Sequence, residues 1–132
     1  MRRRCEGQDL IEFALVTPLL LVIVLVFVEF AVVVFQYNAV ASAARQGARH
    51  GIVARGSNAQ VQAIAEAAAE EMATAASLNP ARLDVDVQVD ATRVEVQVAY
   101  ETRLITAPVI QAIGGGSSGP FTLRATSSMI RE

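Results

Sequence analysis

The chain has 132 residues, of which 53% are hydrophobic and 18% charged, and its formal net charge at pH 7 is -2. A chain of this length forms one modest domain, and its scattered basic residues make no continuous cationic surface, so nucleic acid is not an expected partner. The single cysteine, Cys5, excludes a disulfide or a cysteine metal cluster within one chain.

Much of the hydrophobicity lies in one block, residues 13–35. As an α-helix this block is roughly 35 Å long, enough to cross a hydrocarbon core of about 30 Å. Arginines at positions 2–4 favour a cytoplasmic N-terminus by the positive-inside rule. A secretory signal cut near Ala39 or Ala41 is the alternative, but the block is long for such a signal. The sequence therefore predicts a single-pass protein of the bacterial inner membrane with an extracytoplasmic C-terminal part.

Two residues interrupt the apolar block. Pro18 lies in its first two turns, where the missing backbone N–H is expected to kink or loosen the helix. Glu29 is costlier, because a carboxylate inside a bilayer must be neutralised, reach the headgroups or meet a protein partner. Since the polar Gln36 follows two turns later, we weigh snorkelling of Glu29 and contact with another subunit equally.

The most specific local pattern precedes the block and reads Gly7-Gln8-Asp9-Leu10-Ile11-Glu12-Phe13. By itself the glycine-to-glutamate spacing is a weak pattern, but it becomes specific between a basic segment and a membrane helix. It resembles the processing site of type IV pilin-like precursors of the Tad system, which a membrane aspartyl peptidase cuts after the glycine. The resemblance implies a leader peptide of residues 1–7, a new N-terminus at Gln8, and assembly roles for Glu12 and Phe13.

Three segments resemble the TadE-like minor pilins in order and spacing: residues 10–19, the pair Glu29-Phe30, and residues 43–49. Phe13 departs from the tyrosine often found in the processing motif, and Ala31-Val32 replace a common Gly-Arg. The resemblance implies a minor pilin or pseudopilin that starts or supports a Tad pilus. Implied partners are a prepilin peptidase, other minor pilins, the major pilin, the inner-membrane assembly platform and membrane lipid.

The first helix is predicted to continue beyond the membrane, giving one helical segment over residues 8–54. Its small residues recur with four-residue spacing, as Ala44 with Ala48 and Gly47 with Gly51. This spacing lets another helix approach closely, although alanine-rich helix propensity explains it equally well.

Residues 55–132 are predicted to form a small α+β domain. Ser57 and Gln60 fit a capping box that opens a second helix, which should end before Pro80. Its apolar face is predicted to comprise Val61, Ile64, Ala65, Ala68, Met72 and Ala75. Alternating valines then predict two strands, at residues 83–90 and 93–99, and residues 121–130 have strand character. The economical arrangement is a three-stranded antiparallel sheet covered by the second helix.

The pattern offers no catalytic constellation. His50 is the single histidine, and Ser117 and Ser118 have no identified base. The carboxylates of Asp84, Asp86 and Asp90 are typical of a solvated strand face, with a weak calcium site as the alternative. The glycines at 114–116 lack the residues of a phosphate-binding loop. We therefore expect a non-enzymatic protein without cofactor, metal or small-molecule substrate.

Two other classes remain open. An uncleaved single-pass accessory protein of a secretion system would share the membrane helix and the outer domain. A membrane-tethered binding module would use the domain surface for a ligand and would function without pilus proteins. The sequence leaves open whether a pilin role would be to initiate, cap or decorate a pilus, or to form a separate filament.

Overall fold

The computed structural model describes residues 6–112, 114 and 119–131. In chain order it contains α1 (Glu6–Val53), α2 (Asn58–Ala75), a 3-10 turn (Pro80–Arg82), β1 (Leu83–Val89), β2 (Arg93–Thr102), α3 (Ala107–Ala112) and β3 (Phe121–Ile130). The predicted α+β class is confirmed. Cys5, the arginines at 2–4, the glycines at 115 and 116, Ser117 and Ser118 lie outside the described residues.

The three strands form one antiparallel sheet in the order β1-β2-β3. Leu83 pairs with Tyr100 across the first interface, and Thr102 pairs with Phe121 across the second. Alternation along the central strand β2 buries one set of side chains against the helices and turns the other set outwards. The buried set is Val94, Val96, Val98, Tyr100 and Thr102.

The extramembrane half of α1 forms one wall of the core. Val40, Ala43 and Ala48 are completely buried. α1 packs on β2 and β3, while α2 packs mainly on α1 and, within the sheet, on β1. The predicted cover of the sheet by α2 is incomplete, because α1 packs on the sheet as well. The core thus uses residues on both sides of position 54, and the division into segments 8–54 and 55–132 stays a prediction.

The start of α2 is formed by the predicted capping box. The hydroxyl oxygen of Ser57 accepts from the Gln60 N–H at 3.4 Å, and Oε1 of Gln60 accepts from the Ser57 N–H at 2.9 Å. Together the two bonds satisfy backbone donors that a helix start otherwise leaves free.

The predicted apolar face of α2 is wrong in part. Ile64 and Met72 are 43% and 38% exposed, and Ala75 is also exposed. The buried face consists of Val61, Ala65, Ala68, Ala69 and Ala73. The contact is a close approach of two helices, so alanine occupies it while the larger side chains lie at its margins.

Candidate functional site

The N-terminal half of α1 exposes large apolar side chains. Phe13, Phe27 and Phe30 are 69%, 70% and 65% exposed, and the most apolar window of the helix has a mean hydropathy of 3.0 with none of it buried. Among the described residues, α1 is the one helix long and apolar enough to span a membrane. Exposure separates it from the core helix of a soluble protein, because such a helix buries its apolar side chains.

The same helix enters the domain core without interruption. Ala39 is 7% exposed and Val40 is completely buried, so a signal-type cut near Ala39 or Ala41 would fall inside a helix that the core needs. This placement argues against a cleavable secretory signal at these positions.

The N-terminal end of α1 carries the predicted processing residue Gln8 and the predicted assembly residues Glu12 and Phe13. Gln8 and Glu12 are exposed and lie four positions apart, a spacing that places them on one helix face. The helix continues through Pro18. The Thr17 hydroxyl donates to the Phe13 carbonyl at 2.7 Å, so a side chain supplements the backbone bonding in the turn that proline weakens.

Glu29 has a partner within its own chain. One carboxylate oxygen accepts from the backbone N–H of Thr106 at 3.1 Å, and the other accepts from the Thr106 hydroxyl. Neither interpretation made from the sequence, snorkelling or contact with another subunit, included this partner. The carboxylate is half-buried there, and both of its oxygens are hydrogen-bonded.

A second polar contact lies closer to the C-terminal end of α1. The hydroxyl of Thr102, a residue only 2% exposed, donates to Oε1 of Gln36. Sequence reasoning missed Thr102, Thr106 and Gln36 as contact residues. A threonine just before a first turn that contains Pro108 is a helix-start signal that could have located α3, but it does not identify Glu29 as the partner.

The small residues near the end of α1 allow close packing inside the chain. A Cβ on Gly47 would lie 2.8 Å from the Ala65 carbonyl oxygen, and a Cβ on Gly51 would lie 2.7 Å from Cγ1 of Val94. Ala44 and Ala48 are 1% and 0% exposed. These four small residues therefore let α2 and the sheet pack closely on α1. Contacts within the chain already use the close approach that their spacing permits.

The family model described as TadE-like protein matches residues 7–49. This part of the chain is TadE-like. The TadE-like segment covers the processing pattern at Gly7, the apolar helix with Glu29, and the small residues as far as Ala48. No curated protein and no solved structure gave a match to the chain.

The TadE-like segment and the exposed apolar helix together fit a membrane-anchored protein associated with a Tad pilus and its components. In the part that the structure describes, no three His, Cys, Asp or Glu side chains are grouped to hold a metal ion. Asp84 and Asp86 lie on the exposed face of β1, and Asp86 accepts from the Gln88 amide at 3.2 Å.

Proposed function

We propose that the chain is a minor pilin or pseudopilin of a Tad-type pilus. A prepilin peptidase cuts it after Gly7, and the inner membrane holds the product by α1 until the product joins a pilus. The observation that carries this proposal is the TadE-like match over residues 7–49, on a helix whose apolar part is exposed along its length.

The proposed mechanism is a change of surroundings for α1. In the membrane, lipid covers the exposed apolar side chains, which include Phe13, Phe27 and Phe30. In an assembled fibre, the equivalent helices of neighbouring subunits replace that lipid, and van der Waals packing and polar contacts between helices hold them together. A rigid connection to the domain supports this role, because α1 runs unbroken from Glu6 to Val53.

The orientation proposed for the inserted protein places residues from about 55 onwards outside the cytoplasm. The support is the arginine cluster at positions 2–4 on the other side of the apolar block. A C-terminal fusion to a phosphatase that is active only outside the cytoplasm should be active. An inactive phosphatase paired with an active cytoplasmic reporter at the same site would overturn both the orientation and the pilin proposal.

The function is tested by isolating the protein from native membranes. We expect a product that begins at Gln8 and co-purifies with pilus components. A product that retains residues 1–7 and co-purifies with a secretion apparatus would support the uncleaved accessory protein instead. An uncut protein that binds a ligand in cells lacking pilus proteins would support the tethered binding module.

A further inference from the structure

The segment after β2 runs along α1 towards the apolar N-terminal half of that helix. Thr102 contacts Gln36, and Thr106 contacts Glu29. These two contact points on α1 are seven residues apart, which corresponds to about 10 Å along a helix axis. Thr106 therefore lies beside the apolar half of α1, and α3 begins at the next residue, Ala107.

The depth of this segment follows from the length of the apolar block. If the hydrocarbon core begins at Phe13, a thickness of about 30 Å places its other edge near position 33. Glu29 would then lie about 6 Å inside that edge. Thr106, hydrogen-bonded to Glu29, lies at the same level, in the outermost hydrocarbon next to the headgroups.

The composition and bonding of the segment suit this boundary. Ile105 is 63% exposed, and most residues from 104 to 112 are apolar. The N–H of Thr106 donates to Glu29, and the N–H of Ala107 donates to the Leu104 carbonyl at 3.3 Å. Satisfied backbone groups matter there, because hydrocarbon offers no water to replace a missing hydrogen bond. Arg103 is exposed at the end of the segment nearest β2, where a long basic side chain can reach the headgroups.

We propose that residues 103–112 form a second membrane contact, a wedge at the headgroup–hydrocarbon boundary on the domain side of the bilayer, which Glu29 tethers to α1. The partner of this contact is lipid, and the contact depends on the membrane anchoring of α1 in the proposed function. In this arrangement the carboxylate of Glu29 holds the wedge at one depth in the bilayer. The arrangement also means that extraction of the subunit must withdraw the wedge as well as α1 from lipid.

Nitroxide labels on single cysteines test the proposal in the full chain. The background is Cys5→Ser, with one protein molecule in each nanodisc of phosphatidylethanolamine and phosphatidylglycerol. Ile105→Cys carries the test label, Leu21→Cys reports the middle of α1, and Thr126→Cys reports the outer face of the sheet. Leu21 is 57% exposed and Thr126 is exposed, so all three labels replace surface side chains.

Power saturation then compares collisions with oxygen, which concentrates in lipid, and with a nickel chelate, which stays in water. We expect the oxygen-to-nickel ratio at position 105 to approach that at 21 and to exceed that at 126 several-fold. A ratio at 105 equal to that at 126 would overturn the wedge. Protection of position 105 from both reagents would mean protein cover and would also overturn it. Nickel access at position 21 would identify failure of the anchor itself, on which the proposed function depends.

Discussion

Two hydrogen bonds join Glu29 to Thr106, although the two residues are 77 positions apart in the chain. The contact brings the loop before α3 against a helix that is apolar on either side of Glu29. Because a carboxylate is an unusually strong acceptor, each bond is expected to contribute more than a neutral one would.

The first prediction concerns the hydroxyl of Thr106. Thr106→Val removes one donor to Glu29 at nearly constant volume, while Thr106→Ser keeps it. A loss of at least about 1.5 kcal/mol, slightly more than tenfold in an equilibrium, is expected for a hydrogen bond to a charged group. In detergent micelles, trypsin should therefore cut after Arg103 about tenfold faster in Thr106→Val, if cleavage follows the opened population.

Two controls accompany this measurement. Thr106→Ser should be cut at the wild-type rate, and cleavage after Arg55, in the linker between α1 and α2, should be equal in all three proteins. Equal rates after Arg103 in the wild type and Thr106→Val would show that the bond does not hold the segment.

Local features of the fold were predictable from the sequence. The capping box of Ser57 and Gln60 involves residues three positions apart, and alternating valines on β1 and β2 repeat every second residue. Such patterns depend only on residues that are close together in the chain, so the sequence of one short segment is enough to predict its conformation.

Features that depend on distant residues were not predictable in this way. Apart from Val61, the buried face of α2 is composed of alanines. Their hydrophobicity is too weak to distinguish a core position from an exposed one, so Ile64 and Met72 dominated the predicted face. No helix was predicted between the second and third strands, yet α3 forms there, with Pro108 in its first turn, where a missing N–H costs nothing. The pairing of Glu29 with Thr106 leaves no periodic signal at all.

The second prediction tests the close approach at Gly47. Gly47→Ala gains about 1 kcal/mol of helix propensity, but its Cβ would lie 2.8 Å from the Ala65 carbonyl oxygen, where overpacking costs about 1–3 kcal/mol. We expect a net loss of stability of about 1 kcal/mol, measured as a lower urea midpoint in micelles. Gly119→Ala is the matched control, since its Cβ meets nothing within 4 Å. A midpoint for Gly47→Ala at or above the wild type would contradict the packing.

The third prediction concerns the two ends of α2. Ser77 follows the helix with a φ of 62°, and the N–H of Leu78 bonds back to the Ala73 carbonyl at 3.0 Å. Because glycine adopts this left-handed conformation without the cost of about 1 kcal/mol that a side chain incurs, Ser77→Gly should raise stability by about that amount. Ser57→Ala, at the other end, should lower it by about 1 kcal/mol by removing the cap. Urea unfolding of both variants measures the two changes in the free energy of unfolding. A decrease for Ser77→Gly would contradict the left-handed conformation of Ser77.

The fourth prediction is that processing requires Gly7. Replacing Gly7 by leucine should block the cut without altering membrane insertion, because the apolar block that drives insertion is unchanged. Intact mass of the membrane fraction measures both products, and Glu6→Ala serves as a neighbouring control that should still be cut. Normal processing of Gly7→Leu would rule out this cleavage site.

The last prediction concerns Glu12, an exposed carboxylate at the entrance of the apolar helix. A charge there is costly unless another group compensates its desolvation. Cleavage after Gly7 would create a positive amino group on Gln8, four positions away. That amine could pair with Glu12 of the same helix or with Glu12 of a neighbouring subunit. We favour the pair between subunits, because the resemblance to pilins implies that this glutamate is used for docking.

Glu12→Gln should therefore leave insertion intact and cleavage largely intact, while recruitment to partner pilins falls sharply. Asp9→Asn is the matched control, since it removes a negative charge three residues away and leaves Glu12 in place. Recruitment is measured by co-purification with pilus components at equal membrane abundance of each variant. A purely local pair between Gln8 and Glu12 involves no second subunit, so its loss should leave recruitment near the wild-type level. Unchanged recruitment of Glu12→Gln would accordingly remove Glu12 from assembly and leave it as a tolerated charge at the membrane surface.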